Sequence, residues 1–165
     1  MGIWKRRKML EAGEKAPDFE LTDLEGRIVS LRELTSEGPV LLAFFKITCP
    51  VCAFTFPFLE RIHQTVGAKR LRVYGISQDD AHLTRQFNSE VGVSFPVLLD
   101  TAANGYAVSN AYGIFTVPSL FLVEEDGVIS WASGGFAKSE LEGLGQRFGV
   151  EVFRAEENVP AWKAG

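Results

Sequence analysis

The sequence lacks any apolar run long enough to cross a membrane, since no stretch reaches the about 18 residues that a membrane-spanning helix needs. Residues 1–14 also lack the apolar core of a signal peptide. Together these absences predict a protein with no membrane span and a cytoplasmic location.

Positive charge is also scarce. The net charge is −4 and the isoelectric point is near 5.3, whereas a nucleic-acid-binding protein needs a concentrated basic face. The one basic cluster runs from Lys5 to Lys8, and a short terminal run of charge is usually solvated. Nucleic acid is therefore not a predicted partner.

Metal ligands are few, because the chain holds only two cysteines and two histidines. Two thiolates without a third ligand fall short of a zinc site. His63 lies eleven residues beyond Cys52, roughly three turns away on the predicted helix, and His82 lies early in the next helix. We predict no metal and no separate cofactor, and a metal-handling module is the least favoured hypothesis.

The two cysteines, Cys49 and Cys52, stand between a buried apolar run, Pro39–Phe45, and a segment with helical periodicity, Pro50–Val66. Side chains three residues apart on a helix lie about 5–6 Å apart, within reach of a disulfide. At the helix mouth, unpaired N–H groups and the macrodipole stabilise a thiolate. A redox-active pair is therefore favoured over a structural disulfide, because so small a loop gains little stability. We predict Cys49 as the nucleophile and Cys52 as the more buried resolving thiol.

The remaining chain alternates strands and helices, which predicts an α/β sheet with parallel and antiparallel pairs. With 165 residues and 46% hydrophobic content, one domain over residues 1–165 is expected, with a core at about 15–149 and terminal extensions at 1–14 and 150–165. The predicted elements are a hairpin at 17–22 and 27–31, strands at 40–45, 71–77, 95–100, 116–123 and 128–131, and helices at 50–66, 79–90, 105–112 and 139–148.

Several motifs in order resemble the thioredoxin superfamily. They are the CPVC sequence Cys49–Cys52 after an apolar strand, Pro57 five residues later, and Val117-Pro118 before a strand that leads to an Asp-Gly turn. The segment Ala16–Gly26 resembles the start of redoxin (AhpC/TSA-like) and TlpA-like domains. This resemblance implies a thioredoxin-like fold, a central mixed β-sheet flanked by helices, with an N-terminal β-hairpin extension.

The resemblance also implies the functional residues. Cys49 attacks and Cys52 resolves, Pro118 is a cis-proline facing the pair, and the backbone of Val117 binds a substrate chain. The flanking Thr48 and Pro50 are predicted to contact substrate. The implied partners are protein or small-molecule disulfides and thiols together with an upstream reductant, and the oligomeric state is not predicted.

The chain departs from the superfamily pattern at three positions. Thr48 replaces a tryptophan before the first cysteine, and Ala43 replaces a buried acid or asparagine. Lys46 stands three residues before Cys49, where peroxiredoxins carry Thr or Ser. Its positive charge could instead favour the thiolate. The leading hypothesis is a thiol:disulfide oxidoreductase, and the alternative is a peroxiredoxin-like thiol peroxidase.

Two aspartates follow the strand at 71–77. Asp79 and Asp80 are adjacent, and both could approach the cysteine pair. Because aspartate is a preferred helix cap, capping of the following helix is the favoured role for these residues.

Overall fold

The computed structural model describes residues 8–165. Three members of the predicted basic cluster, Lys5, Arg6 and Arg7, lie outside the described residues. The elements in chain order are β1 (Glu20–Asp23), β2 (Ile28–Ser30), α1 (Leu31–Thr35), β3 (Val40–Phe45), α2 (Pro50–Val66), β4 (Arg72–Ser77), α3 (Ala81–Val91), β5 (Val97–Leu99), a 3₁₀ turn (Ala102–Asn104), α4 (Ala107–Ala111), β6 (Ser119–Val123), β7 (Ile129–Gly134), β8 (Phe136–Ala137), α5 (Lys138–Phe148) and β9 (Trp162–Lys163).

A seven-stranded mixed sheet forms the centre of the fold, in the order β2-β1-β5-β4-β3-β6-β7. Strand β3 pairs in parallel with β4 and antiparallel with β6, so that Ala43 lies opposite both Gly75 and Leu120. The predicted α/β fold with a mixed sheet is confirmed.

Strand β3 is buried along its whole length because both faces of the sheet are covered. Leu41, Ala43 and Phe45 face a core that includes Cys52 and residues of α2, α3 and α5. The alternate residues, such as Leu42 and Phe44, face a second core with α1, α4 and the N-terminal segment. The continuous apolar run in the sequence reflects this double burial.

The predicted N-terminal hairpin is present and closes one edge of the sheet. Leu21 pairs with Val29 across β1 and β2, and Thr22 on the other side pairs antiparallel with Leu99 of β5. The hairpin is therefore part of the main sheet.

Helix α2 has the bounds that its sequence signals predict. Pro50 occupies its first turn, where the missing N–H costs no hydrogen bond, and Gly67 ends it with a positive φ of 77°. Pro57 lies inside the helix, where it leaves the carbonyl four residues earlier without its usual helical donor.

The segment after α5 differs most from the sequence prediction. Val152 and Phe153 are buried in the α2 core, and Arg61 of α2 forms a half-buried ion pair with Glu157 at 2.7 Å between Nη1 and Oε1. The chain then returns as β9 beside β8. The predicted extension is thus packed against α2, while the Trp162 side chain is exposed.

Some element boundaries also differ. Strand β6 begins at Ser119 rather than at residue 116, because Val117 and Pro118 lie in the loop before it. Strand β7 continues to Gly134, three residues beyond the predicted end. Within residues 8–165, no helix combines the length and hydropathy that a membrane crossing requires.

Candidate active site

Cys49 is the N-cap residue of α2. Its Sγ accepts a hydrogen bond from the backbone N–H of Cys52 at 3.1 Å, and its own N–H donates to the Lys46 carbonyl at 3.2 Å. A sulfur at this position faces the unpaired N–H groups of the first helical turn and the positive end of the helix dipole. The side chain is half-buried, so it remains open to a substrate.

Cys52 has the opposite surroundings. It is fully buried in the core that Ala43 and Phe56 share. Burial, followed by the hydrogen bond with the Cys49 thiol, raises the pKa of Cys52 well above its usual range. Ala43 is itself fully buried and contributes no acid to the core beneath the pair.

The Val117-Pro118 loop closes the other side of Cys49. The peptide bond between these two residues is cis, the geometry that the resemblance implies. The Cys49 thiol donates to the Val117 carbonyl oxygen at 3.3 Å. Pro118 is buried and Val117 is half-buried, so the fold brings residues 68 positions apart into one site.

The remaining predicted site residues form an exposed rim. Thr48 and Pro50 are exposed on either side of Cys49, and Lys46 is exposed where β3 ends. A shallow groove of about 110 Å³ separates Lys46 from the Val117 loop. Its other lining residues are Gln78, Ile114, Phe115 and Thr116. The proposed roles of Thr48, Pro50 and Lys46 stay predictions.

Asp79 supports the loop that carries Cys49. Its carboxylate accepts a hydrogen bond from the Ile47 backbone N–H at 2.8 Å, whereas Asp80 caps α3 by accepting from the Leu83 N–H at 2.9 Å. The predicted capping role holds for Asp80 only. The position of Asp79 directly after β4 is the one sequence feature that points to this contact, because β4 lies parallel to β3 and both strands end at the same edge of the sheet.

No group of three or more His, Cys, Asp or Glu side chains in residues 8–165 is placed to hold a metal ion. Both cysteines are free thiols. The metal-handling hypothesis therefore finds no ligand set in the described part of the chain.

A cysteine pair at the amino end of a helix, directly after the central strand of a mixed sheet and opposite a cis-proline loop, defines a thioredoxin-like protein. The family model of the AhpC/TSA family matches residues 12–132. The chain belongs to this family.

Individual relatives identify the enzyme class more closely. The thiol-disulfide oxidoreductase ResA of Halalkalibacterium halodurans is 33% identical over 138 residues, which cover 82% of this chain and 76% of that protein. The crystal structure of a candidate thiol:disulfide interchange protein DsbE from Chlorobium tepidum matches with a TM-score of 0.73 and 29% identity, covering 84% of this chain and 95% of the other. These comparisons support the predicted class, thiol-disulfide oxidoreductase.

A third comparison supports the fold alone. The solution structure of a thiol:disulfide interchange protein from a Bacteroides species has a TM-score of 0.74 at 23% identity and covers 90% of this chain and 94% of the other. The comparisons do not support a cytoplasmic location, which stays a prediction.

Proposed function

We propose that this protein exchanges thiols and disulfides through the pair Cys49 and Cys52, with Cys49 as the nucleophile and Cys52 as the resolving thiol. The observation that carries the proposal is the contrast between the two sulfurs. The Cys49 Sγ is half-buried and accepts the Cys52 N–H at the helix mouth, while Cys52 is fully buried. A substrate therefore reaches Cys49 first.

The reaction follows from these positions. The Cys49 thiolate attacks one sulfur of a substrate disulfide, which forms a mixed disulfide and releases the other substrate sulfur as a thiolate. Cys52 then loses its proton and attacks the Cys49 sulfur. This step forms the Cys49–Cys52 disulfide and releases the second substrate thiol. Two electrons pass from the protein to the substrate, and a dithiol reductant restores the starting form.

The order of the two steps is also supported by the raised pKa of Cys52. Only the thiolate is nucleophilic, so Cys52, which its burial keeps protonated, is a poor attacker of an incoming disulfide. Before that step, the Cys52 backbone N–H already binds the Cys49 sulfur. The helix therefore holds the resolving residue next to the atom that it will attack.

The substrate groove is proposed to run along Val117. Val117 is half-buried, and its backbone carbonyl accepts a hydrogen bond from the Cys49 thiol. An extended substrate chain can pair with such a backbone without sequence-specific contacts. Protein disulfides are thus suitable substrates, and small-molecule disulfides can reach the same sulfur.

Peroxide reduction is the second candidate, favoured by the match to the AhpC/TSA family. Peroxiredoxins, which the N-terminal half of the chain also resembles, carry Thr or Ser three residues before the reactive cysteine. Here that residue is Lys46, which is exposed at the end of β3. The missing hydroxyl argues for disulfide exchange as the principal activity.

The two activities are separated by one kinetic comparison. The reduced protein is mixed at neutral pH either with insulin, which supplies protein disulfides, or with hydrogen peroxide, and the loss of free thiols is followed in time. We expect rapid oxidation by insulin and slow oxidation by peroxide, at the rate of an ordinary thiol. Rapid oxidation by peroxide with slow oxidation by insulin would replace the proposal with the peroxidase function.

A further inference from the structure

The segment Ala161–Gly165 crosses the molecule next to the active site, and we call it the 161–165 strap. Strand β9 within it pairs with β8, with Lys163 opposite Phe136. The Ala161 carbonyl also accepts the Lys138 N–H at 2.9 Å. This pairing directs the end of the strap toward the Val117-Pro118 loop.

Gly135 permits the close approach of the strap. It has a positive φ of 68°, and a β-carbon built on it would lie 2.7 Å from the Lys163 carbonyl oxygen. Its N–H donates to the Pro118 carbonyl at 2.8 Å. Gly135 therefore contacts the cis-proline loop and the strap at once, and any larger residue would separate them.

Gly165 lies against the proposed substrate-binding backbone itself. A β-carbon built on Gly165 would lie 2.4 Å from the Val117 carbonyl oxygen and 2.5 Å from Thr116 Oγ1. The same Val117 carbonyl accepts the Cys49 thiol at 3.3 Å. The end of the strap and the reactive sulfur thus meet at one carbonyl group.

Few contacts hold the strap. Its side chains are exposed except for the half-buried Lys163, whose Nζ lies 5.0 Å from the centre of the Phe54 ring on α2. The β8–β9 ladder contains two residue pairs. Segments with few buried apolar contacts open at low free-energy cost, so the strap can leave the groove without unfolding the core.

From these contacts we propose that the 161–165 strap occupies the Val117 side of the substrate groove and must move before an extended protein substrate can pair there. This inference rests on the proposed disulfide exchange and adds a built-in barrier to it. A small disulfide needs only the half-buried Cys49 sulfur, so its access does not depend on the strap. The strap therefore selects between small and extended substrates.

The direct test compares the protein of residues 1–165 with a variant that lacks residues 161–165. Each reduced protein is oxidised with insulin and, separately, with 2-hydroxyethyl disulfide, and the loss of thiols is timed. Removal of the strap leaves the groove open in every molecule, so we expect the insulin rate to rise several-fold. The rate with 2-hydroxyethyl disulfide should stay unchanged.

A point variant tests the same contact while keeping the chain length. Gly165→Val places side-chain atoms against the Val117 carbonyl and must displace the end of the strap, so we expect a smaller rise in the insulin rate. Ile28→Ala is the matched control because this side chain is 67% exposed on β2, the strand at the far edge of the sheet, and its insulin rate should equal that of the unmodified protein.

The outcomes distinguish this inference from the proposed function. An equal or lower insulin rate in both strap variants would overturn the barrier while leaving disulfide exchange intact. If neither disulfide oxidises the unmodified protein or the strap variants, the proposed function is overturned, and the barrier with it.

Discussion

Cys49 lies at the amino end of helix α2 and Cys52 lies in its first turn, and the surroundings of the two sulfurs differ. Cys49 is half-buried, bonded to a backbone N–H and to the Val117 carbonyl, whereas Cys52 is fully buried among apolar side chains. The residues are chemically identical and three positions apart. Their different roles therefore follow from their positions at the amino end of the helix, where Cys49 faces polar backbone groups and Cys52 faces the apolar core.

The largest effect is expected from removing the nucleophile. Cys49→Ser replaces the half-buried, accessible thiol with a much weaker nucleophile, while the buried Cys52 cannot be reached by substrate. We expect insulin reduction to be abolished, as measured by the precipitation of reduced insulin chains. Substantial remaining activity would mean that Cys52 can start the reaction.

Cys52→Ser is expected to stop the reaction one step later. Cys49 still attacks, but no second thiol is available to release the substrate, so a mixed disulfide accumulates. Mass spectrometry of the protein after mixing with insulin should show the adduct on Cys49. Equal residual turnover in the two serine variants would contradict the assigned roles.

The two aspartates after β4 provide a matched pair for testing the loop at the helix mouth. Asp79→Ala removes the acceptor of the Ile47 N–H, and Asp80→Ala removes the cap of α3. Each change should lower the free energy of unfolding by about 1 kcal/mol. Only Asp79→Ala should also slow the oxidation of the protein by insulin, because Ile47 lies two residues before Cys49.

Urea unfolding and insulin kinetics on both aspartate variants check this prediction. An equal loss of rate in both would show that Asp79 acts only through stability. A loss confined to Asp79→Ala would identify it as a residue that positions the Cys49 loop.

The buried thiol of Cys52 should also make the stability of the protein depend on pH. Below the ordinary thiol pKa of about 8.5, both the folded and the unfolded chain keep the Cys52 proton. Above it, the unfolded chain loses this proton while the folded chain keeps it, because burial raises the pKa of Cys52. The free energy of unfolding should therefore fall as pH rises, by at most about 1.4 kcal/mol per pH unit from this residue.

Urea unfolding of the reduced protein at pH 7, 8 and 9.5 measures this slope. Cys52→Ala is the control, and its stability should fall less steeply above pH 8.5. Parallel curves for the two proteins would show that the buried thiol does not contribute.

Local signals in the sequence predict the helix mouth well. The bounds of β3 and α2 match the predictions, since a continuous apolar run, a proline in the first helical turn and a terminal glycine each act over a few residues. The contrast between Cys49 and Cys52 follows from the same local spacing.

The opposite side of the site depends on long-range pairing. Only the family resemblance predicted that Val117 lies beside Cys49. In the structure, the antiparallel pairing of β6 with β3 brings the two residues together. The link from Asp79 to Ile47 requires β4 beside β3. The path of the 161–165 strap depends on β8 and β9, two-residue strands too short to give a periodic pattern. Local sequence patterns therefore do not specify these contacts, which arise only when distant strands pair.

The central claim is most directly tested by limited alkylation of the reduced, unmodified protein at neutral pH. The protein is treated briefly with iodoacetamide, and the modified residue is identified by peptide mass spectrometry. The contrast between the two sulfurs predicts modification of Cys49 while Cys52 remains free. Modification of Cys52 first, or of both at equal rates, would contradict the assignment of nucleophile and resolving thiol.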